Sequence, residues 1–206
     1  MIVIGGTGSI GMGKSTTARL VAAHGAVLHD ADAVVHALYR GAAVPRVAER
    51  FPDAITDGAV DRGKLSAILA ADPAALPDLE AIVHPMVQAV EQERMAAARA
   101  EGRSLFVVDV PLLLETGAEG RVDVVVVASA PADIQAERVL QRPGMTAERL
   151  AAILARQMPD AEKRRRAHFI VDTGGSKAAS ARCVADIVRA LAARAASGSN
   201  PPADMP

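Results

Sequence analysis

Tryptophan is absent from this chain of 206 residues, tyrosine occurs once and phenylalanine three times. So few aromatic faces offer no stacking platform for single-stranded nucleic acid. A lone cysteine, Cys183, excludes an internal disulfide and a cysteine-built zinc cage. It stands at helical spacing with Ile187 and Leu191, the pattern of a small buried hydrophobe rather than a reactive thiol. Neither sign of charge is in excess. Lys+Arg number 23 against 24 Asp+Glu, a net charge of −1, which carries no electrostatic footprint for duplex nucleic acid. No apolar run reaches the length of a membrane span, and no leader is expected ahead of the apolar segment on which the chain opens. The expectation is a soluble cytoplasmic enzyme with no nucleic-acid, membrane or obligate protein partner. Its length suits one α/β domain with insertions.

What is present begins at residue 8. Gly8-Ser9-Ile10-Gly11-Met12-Gly13-Lys14-Ser15 fits the phosphate-loop pattern G-x-x-x-x-G-K-[ST] in full. Met1-Ile2-Val3-Ile4 before it reads as a buried strand, and Thr16 to Ala23 after it as a helix. Strand, glycine loop and helix give the pattern its mechanism. Glycines let backbone N–H groups approach a polyphosphate, and the helix adds unpaired N–H groups and the positive end of its dipole. Lys14 is placed to neutralise the β- and γ-phosphates, and the Ser15 hydroxyl to bind the Mg²⁺ that accompanies ATP. Gly8, Gly11, Met12, Gly13, Lys14, Ser15 and Thr16 are the candidate ATP-binding residues.

Four further apolar runs read as strands: 26–29 before Asp30-Ala31-Asp32, 104–108 before Asp109, 122–127, and 168–171. Short, β-branched and continuously apolar, they suit parallel strands covered on both faces by the helical stretches between them. Between Asp32 and Ser104 no strand is expected, only helical pieces broken by prolines, the last a long helix over 86–100 with Pro85 in its first turn. A helical region of this size is where a second substrate would be held. Residues 135–166 carry Arg138, Arg142, Arg149, Arg156, Lys163, Arg164, Arg165 and Arg166. Arg138 and Arg142 share one face if a helix reaches that far, which suits a lid closing over phosphates; a solvated basic surface is the plain alternative. The tail 195–206, small, polar and Pro-rich, is expected to be disordered.

Phosphoryl transfer needs a phosphate clamp, a metal, and a group that orients or deprotonates the acceptor. Asp30-Ala31-Asp32 follows the second strand, at the carboxyl end where ligands gather in open parallel sheets. Asp32 can take or position a hydroxyl proton and Asp30 can support the metal, although either also suits a helix N-cap. Asp109, closing an apolar strand, fits a Mg²⁺ ligand. Val110-Pro111-Leu112-Leu113-Leu114-Glu115 is too apolar for an exposed loop and reads as a wall beside the site. Glu115 reads equally as a charged helix residue with no role, and His84 is a secondary candidate.

In these segments the chain resembles the dephospho-coenzyme A kinase family almost to Ser176. The matching pieces are Thr7 through Thr16, Asp30-Ala31-Asp32, Leu79-Glu80-Ala81-Ile82-Val83-His84-Pro85, Val110-Pro111-Leu112-Leu113-Leu114-Glu115, and Gln135-Ala136-Glu137-Arg138 through Arg142, with Arg156-Gln157 and Lys163 behind. The resemblance implies ATP-dependent phosphorylation of the ribose 3′-hydroxyl of dephospho-CoA. It implies a P-loop NTPase three-layer sandwich with a five-stranded parallel sheet, a helical acceptor-binding insertion and a helical lid. The corresponding boundaries are 1–35, 102–135 and 167–194 for the core, 36–101 for the insertion and 136–166 for the lid. Under it Asp32, Lys14 and Arg138 are catalytic, and Arg142 joins the ATP-binding loop. Ser15 and Asp109 hold the metal, and Asp32, His84, Pro111 and Leu112 meet the acceptor. Three positions depart from the family's usual residues: Gly6 for Leu, His168 for Asp and Thr173 for Asn. Another small-molecule kinase would differ in its acceptor, and a GTP-dependent switch would carry an Asn-Lys-x-Asp segment, which this chain lacks.

Overall fold

The computed structural model describes residues 1–198. The chain divides into two units, Met1–His29 with Ala98 onward, and Asp30–Ala97.

The first unit is built on a five-stranded parallel sheet in the order β2-β5-β1-β6-β7. Its strands are β1 (Ile2–Thr7), β2 (Val27–Asp30), β5 (Leu105–Asp109), β6 (Val124–Ser129) and β7 (Phe169–Asp172). β1 is central, with Ile4 opposite Val107 on one side and Val124 on the other. Successive side chains of a strand face opposite ways, and β6 shows the result. Val124 and Val126 join Ile2, Ile4, Val107, α1 (Lys14–Ala23) and α9 (Lys177–Ala196) through Val21, Val184, Ile187 and Leu191. Val125 and Val127 pack on Leu113 and Leu114 instead. Continuous valine runs are therefore required, since neither face meets water. α6 (Ala132–Leu140), α7 (Ala147–Leu154) and α8 (Asp160–Arg165) occupy the arginine-rich segment. α1 begins at Lys14, two residues ahead of the expected start, because Gly13 at φ 83° supplies its N-cap.

The second unit has its own core of Val34, Leu38, Tyr39, Val47, Phe51, Leu65, Leu79 and Val83. Its elements are α2 (Ala31–Leu38), α3 (Val44–Arg50), β3 (Ile55–Thr56), β4 (Ala59–Val60), α4 (Arg62–Ala71) and α5 (Leu76–Ala100). The antiparallel β3–β4 hairpin corrects the expectation that this region holds no strand. Its turn is Asp57-Gly58, both residues at positive φ (50° and 74°), the Asp-Gly signal of a tight hairpin. α5 is likewise longer than expected. Pro77, not Pro85, lies in its first turn, and Pro85 sits in the helix interior. α9 runs to Ala196, two residues into the expected disordered tail, and residues 199–206 lie outside the described residues. Among the described residues no helix is long and apolar enough to cross a membrane.

Candidate active site

The phosphate loop leaves β1 at Thr7 and enters α1 at Lys14. Gly11 adopts φ 78°, and a Cβ there would lie 2.6 Å from Val139 Cγ2 and 3.1 Å from the Gln135 carbonyl. Only glycine permits both the backbone conformation and that approach to α6. Met12, on the ATP-binding list, is buried; its Sδ accepts from the Ala130 N–H at 3.1 Å, so only its main chain can face a ligand.

The carbonyls of the loop are turned onto side chains from elsewhere in the unit. Ile10 O accepts from Gln135 Nε2 at 2.7 Å, Gly11 O from Arg138 Nη1 at 3.5 Å, and Met12 O from Thr173 Oγ1 at 2.8 Å. The Ile10 N–H donates to Gln157 Oε1 at 3.0 Å. Arg138 also donates to Thr173 O at 2.5 Å and Thr173 Oγ1 at 3.3 Å. Thr173, a departure from the family pattern, thus links α6 to the loop. His168, another departure, accepts from the Val125 N–H through Nδ1 at 3.1 Å, and its own N–H donates to Val125 O at 2.9 Å just ahead of β7.

Lys14 Nζ lies 2.5 Å from Asp109 Oδ1, which ties the loop lysine to the end of β5. Asp109 is only 4% exposed. Its carboxylate and the Ser15 hydroxyl are hard oxygen donors of the type Mg²⁺ takes from a protein when phosphates and water complete its coordination. Among the described residues no three His, Cys, Asp or Glu side chains converge on a metal site.

Beside the loop opens a cavity of about 360 Å³, lined among others by Gly11, Gly13, Leu20, Arg138, Arg142 and Thr173. α6 ends at Leu140, short of Arg142, so the two arginines do not share a helix face as expected; they nevertheless line this one cavity. A larger cleft of about 670 Å³ lies against Ser9, Met12, Gln135 and Asp160. After β5, Thr7 Oγ1 donates to Pro111 O at 3.3 Å. Leu113 and Leu114 are buried while Leu112 is 41% exposed, so the apolar segment offers one leucine to solvent and uses two as core. Glu115 is not idle: its Oε1 accepts from the Met158 N–H at 2.9 Å and lies 2.7 Å from Nζ of the fully buried Lys163.

In the second unit Asp30 caps α2 by accepting from the Ala33 N–H at 3.0 Å, which resolves its two readings towards capping. Asp32 lies in the first turn of α2 with its side chain exposed, and His84 is exposed on α5. Gln135 and Gln157 stand in matching segments without a role assigned from sequence. The available signal was helical spacing, since Gln135 lies three residues before Arg138 on α6.

A glycine loop between a central parallel strand and a helix, with its lysine on a strand-end aspartate, defines a phosphate-loop α/β nucleotide-binding protein. The sequence profile described as dephospho-CoA kinase matches residues 2–178. A dephospho-CoA kinase of Mesorhizobium japonicum is 58% identical over 174 residues, covering 84% of this chain and 88% of its own length. One from Agrobacterium fabrum is 54% identical, covering 94% and 100%. The solved dephospho-CoA kinase of Campylobacter jejuni superposes with a TM-score of 0.70 at 25% identity, covering 93% and 97%. The chain belongs to the dephospho-CoA kinase family, and it is an ATP-dependent kinase.

Proposed function

We infer that this chain transfers the γ-phosphoryl group of ATP to the ribose 3′-hydroxyl of dephospho-CoA, yielding CoA and ADP. Family membership over nearly the whole chain carries this reading. The residue roles rest on position and geometry. The N–H groups of Gly11, Gly13, Lys14 and Ser15 cradle the phosphates, with the dipole of α1 behind them. Arg138 and Arg142 line the 360 Å³ cavity beside the loop, Arg138 assigned to catalysis and Arg142 to ATP binding. Ser15 and Asp109 are the oxygen donors for Mg²⁺, which when bound screens the phosphate charge. Asp32 accepts the proton of the 3′-hydroxyl as its oxygen bonds to the γ-phosphorus. The bond from that phosphorus to the β,γ-bridging oxygen breaks, and its electrons leave with ADP. Lys14 exchanges Asp109 for phosphate oxygens and neutralises that developing charge. His84, Pro111 and Leu112 are assigned to the acceptor. The 36–101 insertion, the 136–166 lid and a cytoplasmic location complete the proposal.

The test is ADP release from ATP and Mg²⁺ with dephospho-CoA, AMP, adenosine or no acceptor. Turnover confined to dephospho-CoA with CoA as product is the expected result. Turnover only with another acceptor overturns the substrate assignment and leaves a phosphate-loop kinase.

A further inference from the structure

The two polar groups of Ile10 are gripped by two glutamines from the segment that follows β6. Ile10 C=O accepts from Gln135 Nε2 at 2.7 Å, and Ile10 N–H donates to Gln157 Oε1 at 3.0 Å. The partners fix both amide orientations, because a carbonyl needs a donor and an N–H needs an acceptor. Gln135 is 6% exposed, so no water substitutes freely for it. In a planar trans peptide the C=O of one residue and the N–H of the next point in opposite directions. Holding Ile10 C=O against α6 therefore turns the Gly11 N–H away from α6. The Met12 N–H is used inside the loop, donating to Ser9 O at 3.1 Å. The Gly11 N–H is thus left for an anion, and Gln135 sets its direction. Gly11 at φ 78° has no Cβ to resist rotation of this peptide, so the side-chain tether has to hold it.

We propose that Gln135 is a positioning residue for the kinase reaction, which holds the Ile10–Gly11 peptide so that the Gly11 N–H faces the ATP phosphates. It acts through the peptide and touches no substrate. Gln157 holds the other end of Ile10, so α6 and the segment after α7 jointly set the loop. The inference rests on the reading that this loop binds the triphosphate of ATP.

One substitution made at both glutamines tests it. Gln135→Glu exchanges the donor for an oxygen that repels Ile10 O. Gln157→Glu keeps an acceptor for the Ile10 N–H. Both add one negative charge beside the same loop residue. ATP affinity by calorimetry, kcat, KM for each substrate and the melting temperature are measured for the full-length wild type and each variant. Gln135→Glu is expected to weaken ATP binding roughly tenfold more than Gln157→Glu, the scale of leaving one buried acceptor unpaired. KM for dephospho-CoA should stay within about twofold, a split that a general loss of structure would not produce. Gln135→Met, apolar and similar in length, is expected to weaken ATP binding as Gln135→Glu does, and it serves in its place if the charged variant does not fold. Equal weakening by both Glu variants makes charge the cause and overturns the proposal. Full affinity in Gln135→Met overturns it as well. A wild type that binds ATP but phosphorylates another acceptor leaves the proposal standing and removes only the substrate assignment. A wild type that binds no ATP removes the nucleotide reading and this inference together.

Discussion

Lys14 carries two roles that one substitution removes together. Under the proposed function its ammonium neutralises phosphate during transfer, and it is the 2.5 Å counter-charge of a carboxylate that is 4% exposed. Lys14→Ala is therefore expected to abolish turnover and to cost roughly 3 kcal/mol of stability, because Asp109 is left buried without its partner. Adding Asp109→Asn should restore most of the stability and none of the activity; urea denaturation and the ADP assay separate the two. A single variant as stable as wild type would show that the pair contributes little to folding. Gly6 has a simpler expectation. A Cβ there would meet Val108 O at 3.6 Å and Val107 Cγ2 at 3.9 Å, ordinary contact distances. Gly6→Ala should raise stability by about 0.4–1 kcal/mol through the unfolded chain, seen as a higher melting temperature. A lower one would mean the strand end needs its glycine. Tyr39 is 7% exposed, and burial pushes its phenol above the ordinary value, with Arg62 acting more weakly the other way. The folded state thus favours the neutral phenol. That contribution is whole below the ordinary tyrosine value of 10.0 and is lost as pH climbs through the raised one. With one tyrosine and no tryptophan, ultraviolet titration reads it directly. Tyrosinate should appear at higher pH in the native chain than in urea, and coincident curves would refute the burial argument.

Among the elements, the segment after β5 is fastened to α8 by charge. Glu115 meets the fully buried Lys163, and Glu119 meets the partly exposed Arg166. Glu115→Gln strands a buried ammonium and is expected to cost about 3 kcal/mol, whereas Glu119→Gln should cost under about 1 kcal/mol. Equal small losses in urea denaturation would mean that Lys163 finds another partner. The elements also show where sequence patterns were legible. The five sheet strands were readable because a strand covered on both faces must be apolar throughout. The β3–β4 hairpin was missed because two-residue strands have no room for a period, although Asp57-Gly58 signalled its turn. The start of α5 was misplaced because both Pro77 and Pro85 offered a first turn. The interior position of Pro85 is tolerated within a helix that packs through Leu79 and Val83.

At the scale of the whole molecule, ligand binding and stability are linked. ATP with Mg²⁺ at about a hundred times its dissociation constant should add about 2.7 kcal/mol to the state that binds it. The melting temperature should then rise with ATP, and by the same linkage with any acceptor that binds on its own. A flat response to ATP would contradict the loop assignment. The sequence by itself determined the phosphate loop, the sheet and the family, because these rest on contiguous residues: a glycine spacing, apolar runs and short motifs in order. It also placed Lys14, Ser15, Asp32 and Asp109 on the ends of elements where ligands gather. Only the tertiary structure decided what those residues touch. Asp30 became a cap, Glu115 an ion-pair partner, and Arg138 a donor to Thr173 and the loop. The grip of Gln135 and Gln157 on Ile10 joins residues more than 120 positions apart. No local pattern encodes such a contact, since hydrogen bonds depend on distance and direction in space, which the packing of α6 against the loop sets.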